Sequence, residues 1–360
     1  MSRLFTPLTL RGTTFRNRAW VAPMCQYSSV DGFPTDWHLV HLGARAAGGA
    51  GLVLTEATAV TPEGRISPAD AGIWSDAQAQ AYERITAFVA GQGAVPGIQL
   101  AHAGRKASSQ RPWDGDGWVD EADGGWQPVA PSALAHGDGP TPKELSTADI
   151  AGLVAAFAAA AVRADAAGFE VAEVHAAHGY LVHEFLSPLA NERADGYGGG
   201  LEGRARFLLE VVDAVRAVWP ERKPLFVRVS ATDWVEGGWT LEETVEVSRW
   251  LSGRGVDLVD VSSGGVSPQQ RIAAGPGYQV PLARAVRAGS GLPTAAVGLI
   301  TEPAQAEQVL VEDSADAVLL ARAVLREPAW PLRAQHVLDG DRHPATATPW
   351  PDQYLRGTWR

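Results

Sequence analysis

The 360-residue chain sets 41 acidic against 30 basic side chains, for a net charge of −11, and is 46% hydrophobic and 20% charged. That is a globular composition, and an acidic balance with no basic run excludes a nucleic-acid surface, which needs concentrated positive charge. Cys25 is the only cysteine, so an internal disulfide and a cysteine-ligated iron–sulfur cluster are both impossible.

The first residues, Met1 to Pro7, contain no apolar stretch of signal-peptide length, and a cytoplasmic location is the expectation. Short strand-like runs then alternate with longer helical ones from Arg18 to Leu338. Strands are expected at Ala19–Ala22, Gly51–Glu56, Val95–Leu100, Glu170–His175, Leu225–Val229, Asp257–Val261, Thr294–Val297 and Ala317–Leu320. Most are continuous apolar runs, as strands covered on both faces must be. Helices are expected over Asp76–Gly91, Thr147–Gly168, Leu201–Trp219, Leu241–Gly255 and Glu302–Val311. The longest apolar run, Ile150 to Val162, is too short to span a bilayer and closes at Arg163 and Asp165; with Ser146 and Asp149 as a capping pair it reads as a buried helix.

Eight strand–helix units close naturally into an α/β fold of the (β/α)8 TIM-barrel type, here a single domain over residues 1–360 with an N-terminal cap and a tail over about 341–360. A doubly wound sheet is disfavoured because Pro23-Met24-Cys25 follows the first strand where a glycine fingerprint would stand. No Gly-Lys dipeptide occurs, which excludes a Walker loop. Residues 107–145, after the third strand, are too many for a turn; with Trp113, Trp118 and Trp126 they read as an ordered capping excursion beside the barrel mouth.

Barrel active sites lie at the carboxyl ends of the strands, so the residues there form one list. It holds Cys25 and Tyr27 at the first strand, Ala57 at the second, Gln99, His102, Arg105 and Lys106 at the third, and His175, His178 and Tyr180 at the fourth. Arg228 ends the fifth, Ser262 to Gly265 follow the sixth, Gly298 the seventh and Arg322 the eighth. Two imidazoles and a phenol at one strand end can grip a substrate oxygen or move a proton without fixed charge. A structural role and a metal site are the other readings; the metal reading lacks a second histidine four residues after His183, where Ser187 stands. No metal is expected.

Gly298 and Arg322 fall where barrels often bind phosphate, glycine admitting backbone N–H groups and arginine offering a fork matched to the oxygens. Arg228 in the barrel mouth needs an anionic partner, because a buried guanidinium left unpaired is costly. With the amide of Gln99 and the soft sulfur of Cys25, this set suits flavin mononucleotide: Gln99 for the pyrimidine edge, and Arg228 for the negative charge that a reduced flavin gathers near N1.

Motifs spread along the chain carry a family resemblance: Leu4-Phe-Thr-Pro, Pro23-Met-Cys-Gln-Tyr27, Glu56-Ala-Thr, Gly72-Ile-Trp-Ser-Asp76, Gln99-Leu-Ala-His-Ala-Gly-Arg-Lys-Ala107, His175-Ala-Ala-His-Gly-Tyr180, His183-Glu-Phe-Leu-Ser-Pro188, Tyr197-Gly-Gly and Gln353-Tyr-Leu-Arg-Gly357. In this order and spacing the chain resembles the Old Yellow Enzymes, specifically their thermophilic-like bacterial class. The resemblance implies an ene-reductase with tightly bound, non-covalent FMN, reduced by NAD(P)H with NADPH favoured, acting on α,β-unsaturated carbonyl or nitro compounds. It implies that His175 and His178 hold the activating oxygen, that Tyr180 gives the proton to the α-carbon, and that Tyr27 helps bind the substrate oxygen. Pro23, Met24, Cys25, Ala57, Gln99, His175, Arg228, Gly298, Ala321 and Arg322 then become the cofactor-binding residues, with Cys25 tuning the flavin.

Arg356 matches an arginine that reaches a neighbouring subunit's active site, so a homodimer or homotetramer is implied, with no nucleic-acid or membrane partner. One departure stands out: Ala321 precedes the phosphate arginine where the family has glycine. The rival readings are another FMN barrel oxidoreductase and a non-flavin aldolase-type barrel. The latter needs a carboxylate/histidine ligand set or a lysine at a strand end, and Lys106 is the sole lysine near the mouth.

Overall fold

The structure, a computed structural model, describes residues 2–340 and 349–359. A hairpin of β1 (Leu8–Leu10) and β2 (Thr13–Phe15) leads into β3 (Ala19–Val21). Next come α1 (Asp36–Ala47), β4 (Leu52–Ala59), α2 (Asp76–Gly91) and β5 (Val95–Ala101). The excursion after β5 holds a short 3-10 turn (Glu121–Asp123) and the two-residue strands β6 (Val129–Ala130) and β7 (Lys143–Glu144). Then follow α3 (Thr147–Ala166), β8 (Val171–Ala176), α4 (Leu181–Leu186), α5 (Leu201–Val218), β9 (Leu225–Ser230), α6 (Leu241–Ser252) and β10 (Leu258–Ser262). The chain continues through α7 (Val280–Ser290), β11 (Thr294–Ala296), α8 (Pro303–Val311), β12 (Ala317–Leu320), α9 (Arg322–Arg326) and α10 (Trp330–Asp339).

Strands β3, β4, β5, β8, β9, β10, β11 and β12 form a closed parallel barrel in chain order, β12 pairing back onto β3. The expected TIM barrel is therefore the observed one. Among the strands the largest boundary difference is at β4, which runs on to Ala59 rather than ending at Glu56; α6 ends three residues short of the expected Gly255. The register of β4 against β5 shifts between Leu54 and Ala57, a bulge of the kind that re-aims side chains at a barrel rim. Ala57 consequently lies inside the strand and not after it, which corrects its expected placement.

Two layers of apolar packing fix where a site can be. Outside the strands, α3 buries Ile150, Leu153, Phe157, Ala160, Ala161 and Ala164, and its start is capped by Ser146 accepting from the Asp149 N–H at 3.1 Å. By length and composition this 20-residue helix could cross a bilayer, which the shorter run Ile150 to Val162 does not suggest. Inside the barrel, Trp20, Leu52, Leu54, Val171, Phe226 and Leu258 meet Leu10 and Phe15 from the hairpin. The Phe15 and Trp20 rings sit 4.6 Å apart and Trp20 stacks on Phe226 at 5.9 Å. Each buried ring of this kind contributes about 1.5–3 kcal/mol. The N-terminal end of the barrel is thereby stoppered, and only the carboxyl end remains open.

The excursion is tied down along its length. Arg193 donates to the carbonyls of Pro131 and Leu145 at 2.9 and 2.6 Å, Trp126 Nε1 donates to the Glu63 carbonyl at 2.8 Å, and the Arg65 guanidinium lies 4.8 Å above the Trp126 ring. Of the tail expected at 341–360, residues 341–348 and 360 lie outside the described residues; Asp352–Gly357 form a 3-10 turn and Trp359 stacks on His336 of α10 at 5.2 Å.

Candidate active site

Above the apolar stopper the barrel interior turns polar. Register sets Gln99 of β5 beside Glu173 of β8, and Arg228 of β9 between His175 of β8 and Asp260 of β10. The side-chain period of two then brings His175 onto the same face as Glu173, one step nearer the mouth. All five side chains are buried. Gln99 Nε2 donates to Glu173 Oε1 at 2.8 Å, and its amide oxygen accepts no hydrogen bond among the described residues. Arg228 Nε stands 3.0 Å from Asp260 Oδ2, an ion pair without hydrogen-bond alignment, and its guanidinium makes no hydrogen bond among the described residues. Burial raises the carboxyl pKa of Glu173, with Asp260 adding to the rise and Arg228 opposing it. A buried fork with free donors beside a free amide oxygen calls for a polar ligand of its own size.

Nearer solvent, β8 ends in a turn where His178 and Gly179 both take left-handed backbone, at φ 61° and 72°. The turn swings three rings together: His175 lies 5.1 Å from His178 and 5.1 Å from Tyr180, each edge-on. His178 Nε2 is 2.7 Å from Ser262 Oγ, and its backbone N–H donates to Ser230 Oγ at 2.9 Å. Among the described residues His175 makes no ring hydrogen bond, and its buried Nδ1 has no partner. Burial, then the charge of Arg228, holds both imidazoles well below the usual histidine range, so each is neutral and keeps one N–H to donate. Burial likewise pushes the Tyr180 phenol well up, so it stays protonated.

His183, the third histidine of the run, faces elsewhere: it accepts the Gly179 N–H at Nδ1 and places Nε2 2.9 Å from buried Asp233. His102 is also drawn away, with Nδ1 accepting the Gly104 N–H at 3.1 Å. The expected first-strand residues do join the site, since Cys25, Tyr27 and Tyr180 pack on one apolar cluster with Ala57, Ile66 and Ala101. Burial raises the Cys25 thiol well above its ordinary pKa, with Asp70 and Glu56 adding to it, so it is a thiol at neutral pH. Trp113 of the excursion meets the Tyr27 ring edge-on at 5.7 Å.

Gly298, Ala321 and Arg322 line an adjoining cavity with Ser262, Gln279 and Thr301. Gly298 has φ 124°, and a Cβ there would come within 3.0 Å of Gln279 Nε2. Arg322 makes no ion pair or hydrogen bond among the described residues, as fits a guanidinium waiting for an anion. Ser262, touching both this cavity and His178, joins the two halves of the site. Pro23 and Met24 follow β3 and are half-buried. Arg356 is exposed in the tail turn.

Three supporting residues escape a reading by strand ends. Glu56 accepts the Gln26 N–H at 2.9 Å and bonds His38 Nε2 at 2.8 Å, anchoring the Cys25–Tyr27 loop. Gln279 accepts from Ser263 Oγ at 2.6 Å and donates to the Val297 carbonyl at 2.9 Å, tying two mouth loops. Glu173 orients Gln99. For Glu56 and Glu173 a signal existed: a carboxylate inside an otherwise apolar strand must have a buried partner.

A model of the NADH:flavin oxidoreductase / NADH oxidase family matches residues 3–341. The chain belongs to this family. The NADPH dehydrogenase of Geobacillus thermodenitrificans (strain NG80-2) is 49% identical over 360 residues, covering 99% of this chain and 98% of that one. Among solved structures, morphinone reductase in complex with tetrahydroNAD is 29% identical with a TM-score of 0.77, covering 97% of each chain. The old yellow enzyme homologue of Zymomonas mobilis is 28% identical, also with a TM-score of 0.77, covering 97% of this chain and 99% of that one. These relatives make it an Old Yellow Enzyme family member, an FMN-dependent NAD(P)H oxidoreductase. The residues present fit that cofactor: Arg322 and Gly298 would hold its phosphate, and Arg228 and Gln99 its polar ring edge. Ala321 lines the same cavity as Gly298 and Arg322.

Proposed function

We propose that the protein is an ene-reductase of the thermophilic-like class, reducing the activated C=C bond of α,β-unsaturated carbonyl or nitro compounds. The observation that carries the reading is the grouping of two neutral imidazoles and one protonated phenol, with His178 and Tyr180 each edge-on to His175, beside a cavity whose lining suits FMN. The FMN that Arg322, Gly298, Arg228 and Gln99 would hold would supply hydride transfer, from NAD(P)H to the alkene carbon β to the activating group.

The chain's own residues do the rest. His175 and His178 each offer one N–H to the substrate oxygen, and neutrality lets them share negative charge without binding anions indiscriminately. Ser262 fixes the orientation of His178, and Tyr27, packed on the same apolar cluster as Tyr180, adds a second phenol. Tyr180 releases its proton to the α-carbon. The apolar wall of Ala57, Ile66 and Ala101 keeps water from competing for that proton. Pro23, Met24 and Cys25, which follow β3, would line the cofactor, with Cys25 as a thiol that would tune it. Arg356, exposed in this chain, reaches the active site of a second copy, in a homodimer or homotetramer.

Colour is the first test. The purified protein is expected to be yellow and to bleach when NADPH is added without oxygen; a colourless preparation removes the flavin reading, and bleaching that no enone, maleimide or nitroalkene reverses removes the ene-reductase one. His178→Ala is expected to weaken phenol binding by about tenfold or more, since a phenol oxygen mimics the substrate's and one N–H donor is lost. Spectral titration checks this, and an unchanged dissociation constant would take His178 out of the oxygen site.

A further inference from the structure

The left-handed turn at His178 and Gly179 is held by side chains from other strand ends, and one of them has a second task. Lys106, in the 3-10 turn after β5, points its Nζ at the His178 carbonyl at 2.9 Å and the Gly265 carbonyl at 3.2 Å. The same ammonium lies 5.0 Å above the ring of Tyr180. It is thus fixed by two carbonyls that belong to the site's own loops, with its charge against the face of the phenol.

We propose that Lys106 is a positioning residue for proton delivery by Tyr180: its ammonium locks the His178–Gly179 turn and favours the phenolate that Tyr180 becomes. The inference rests on Tyr180 as the proton donor. In that step the Tyr180 O–H bond breaks, a C–H bond forms at the alkene α-carbon, and the phenolate later regains a proton from solvent. Lys106 gives up nothing; it supplies positive charge in a pocket that otherwise opposes ionisation, since burial, Cys25, Tyr27 and Asp70 all push the phenol upward. Arg228 is the opposing charge, and Lys106 adds to it from above the ring.

The groups around the ammonium set how this can be seen. Glu184 of α4, Arg105 of its own turn, His136 of the excursion, and His175 and His178 all face it. The three histidines are held low by burial and are neutral at working pH. Burial lowers Lys106 to about 8, with Glu184 opposing and Arg105 assisting. Glu184 is itself raised by burial to about 8. Charge on Lys106 is present below that pH and lost above it, so its help to Tyr180 should fade as pH rises through about 8.

The test is the rate of cyclohexenone reduction by pre-reduced holoenzyme, followed from pH 6 to 10. The wild type should slow as pH rises through about 8. K106M should be about tenfold slower below that pH, the scale of one partly screened charge some 5 Å away, and should lose the fall. K106R should keep the low-pH rate up to pH 10. A fall that persists in K106R belongs to Glu184 and overturns the proposal, as does a K106M variant with the wild-type rate and profile.

If the variants lose flavin, the wild type alone decides. The chain has only three lysines, Lys106, Lys143 and Lys223, so NMR of the 13C-dimethylated protein separates their titrations. A Lys106 midpoint that coincides with the kinetic one supports the assignment, and a mismatch overturns it. Tyr180→Phe distinguishes the two layers of argument: if it reduces the enone as fast as wild type, the proton-donor reading falls, whereas a slow Tyr180→Phe with an unimpaired K106M removes only the lysine's part.

Discussion

Tyr180→Phe is expected to slow alkene reduction by about 10²–10⁴, the range one positioned general acid contributes. The substitution is close to isosteric. A phenylalanine ring can keep its edge against His175, 5.1 Å away, and its face beneath Lys106, so the loss isolates the proton. Burial holds the phenol protonated, so the wild-type group is loaded at every working pH. Reduction of the flavin by NADPH needs no proton at the α-carbon and should proceed at nearly the wild-type rate. Anaerobic stopped-flow measurement of the two half-reactions checks both statements. Equal losses in the two would mean that Tyr180 shapes the pocket and does not deliver a proton.

The parts of this protein that could be read from sequence are those set by local pattern. Eight apolar runs alternating with amphipathic ones specify the barrel because strands covered on both faces can exist in few other arrangements, and Ser146 with Asp149 marks the start of α3 to the residue. The rings of His175, His178 and Tyr180 were legible because they stand together on one strand end. What was not legible is the set of contacts made across the mouth. Ser262 and Lys106 appeared among strand-end residues with no partner, since nothing local says that one meets the His178 ring and the other the His178 carbonyl. The bulge in β4 was hidden for the same reason: Ala57 faces the site only because the register against β5 shifts there, and register belongs to two strands.

Gly179 is held where two loops of the mouth meet backbone to backbone. Gly179→Ala is expected to be among the most damaging single-methyl changes in the chain. A Cβ there would lie 2.2 Å from the Gly265 carbonyl oxygen and 2.6 Å from Val266 Cα, both backbone atoms that no rotamer change can move aside. The approach is mutual, since a Cβ on Gly265 would come within 2.5 Å of the His178 backbone. Gly199 provides the control: its φ is +71° against +72° for Gly179, but nothing lies within 4 Å of its Cβ position. Gly199→Ala therefore carries only the left-handed strain, about 1 kcal/mol. Gly179→Ala carries that plus the displacement of one mouth loop, about 2–4 kcal/mol more. The displaced loop holds Ser262 and the Gly265 carbonyl that Lys106 grips, so His178 loses its orientation and alkene turnover should fall even in protein that still folds. Denaturant midpoints for the two variants, with flavin content and turnover beside them, measure the difference. Equal midpoints would mean that the crossing of Gly179 with Gly265 is not what holds the two loops in register.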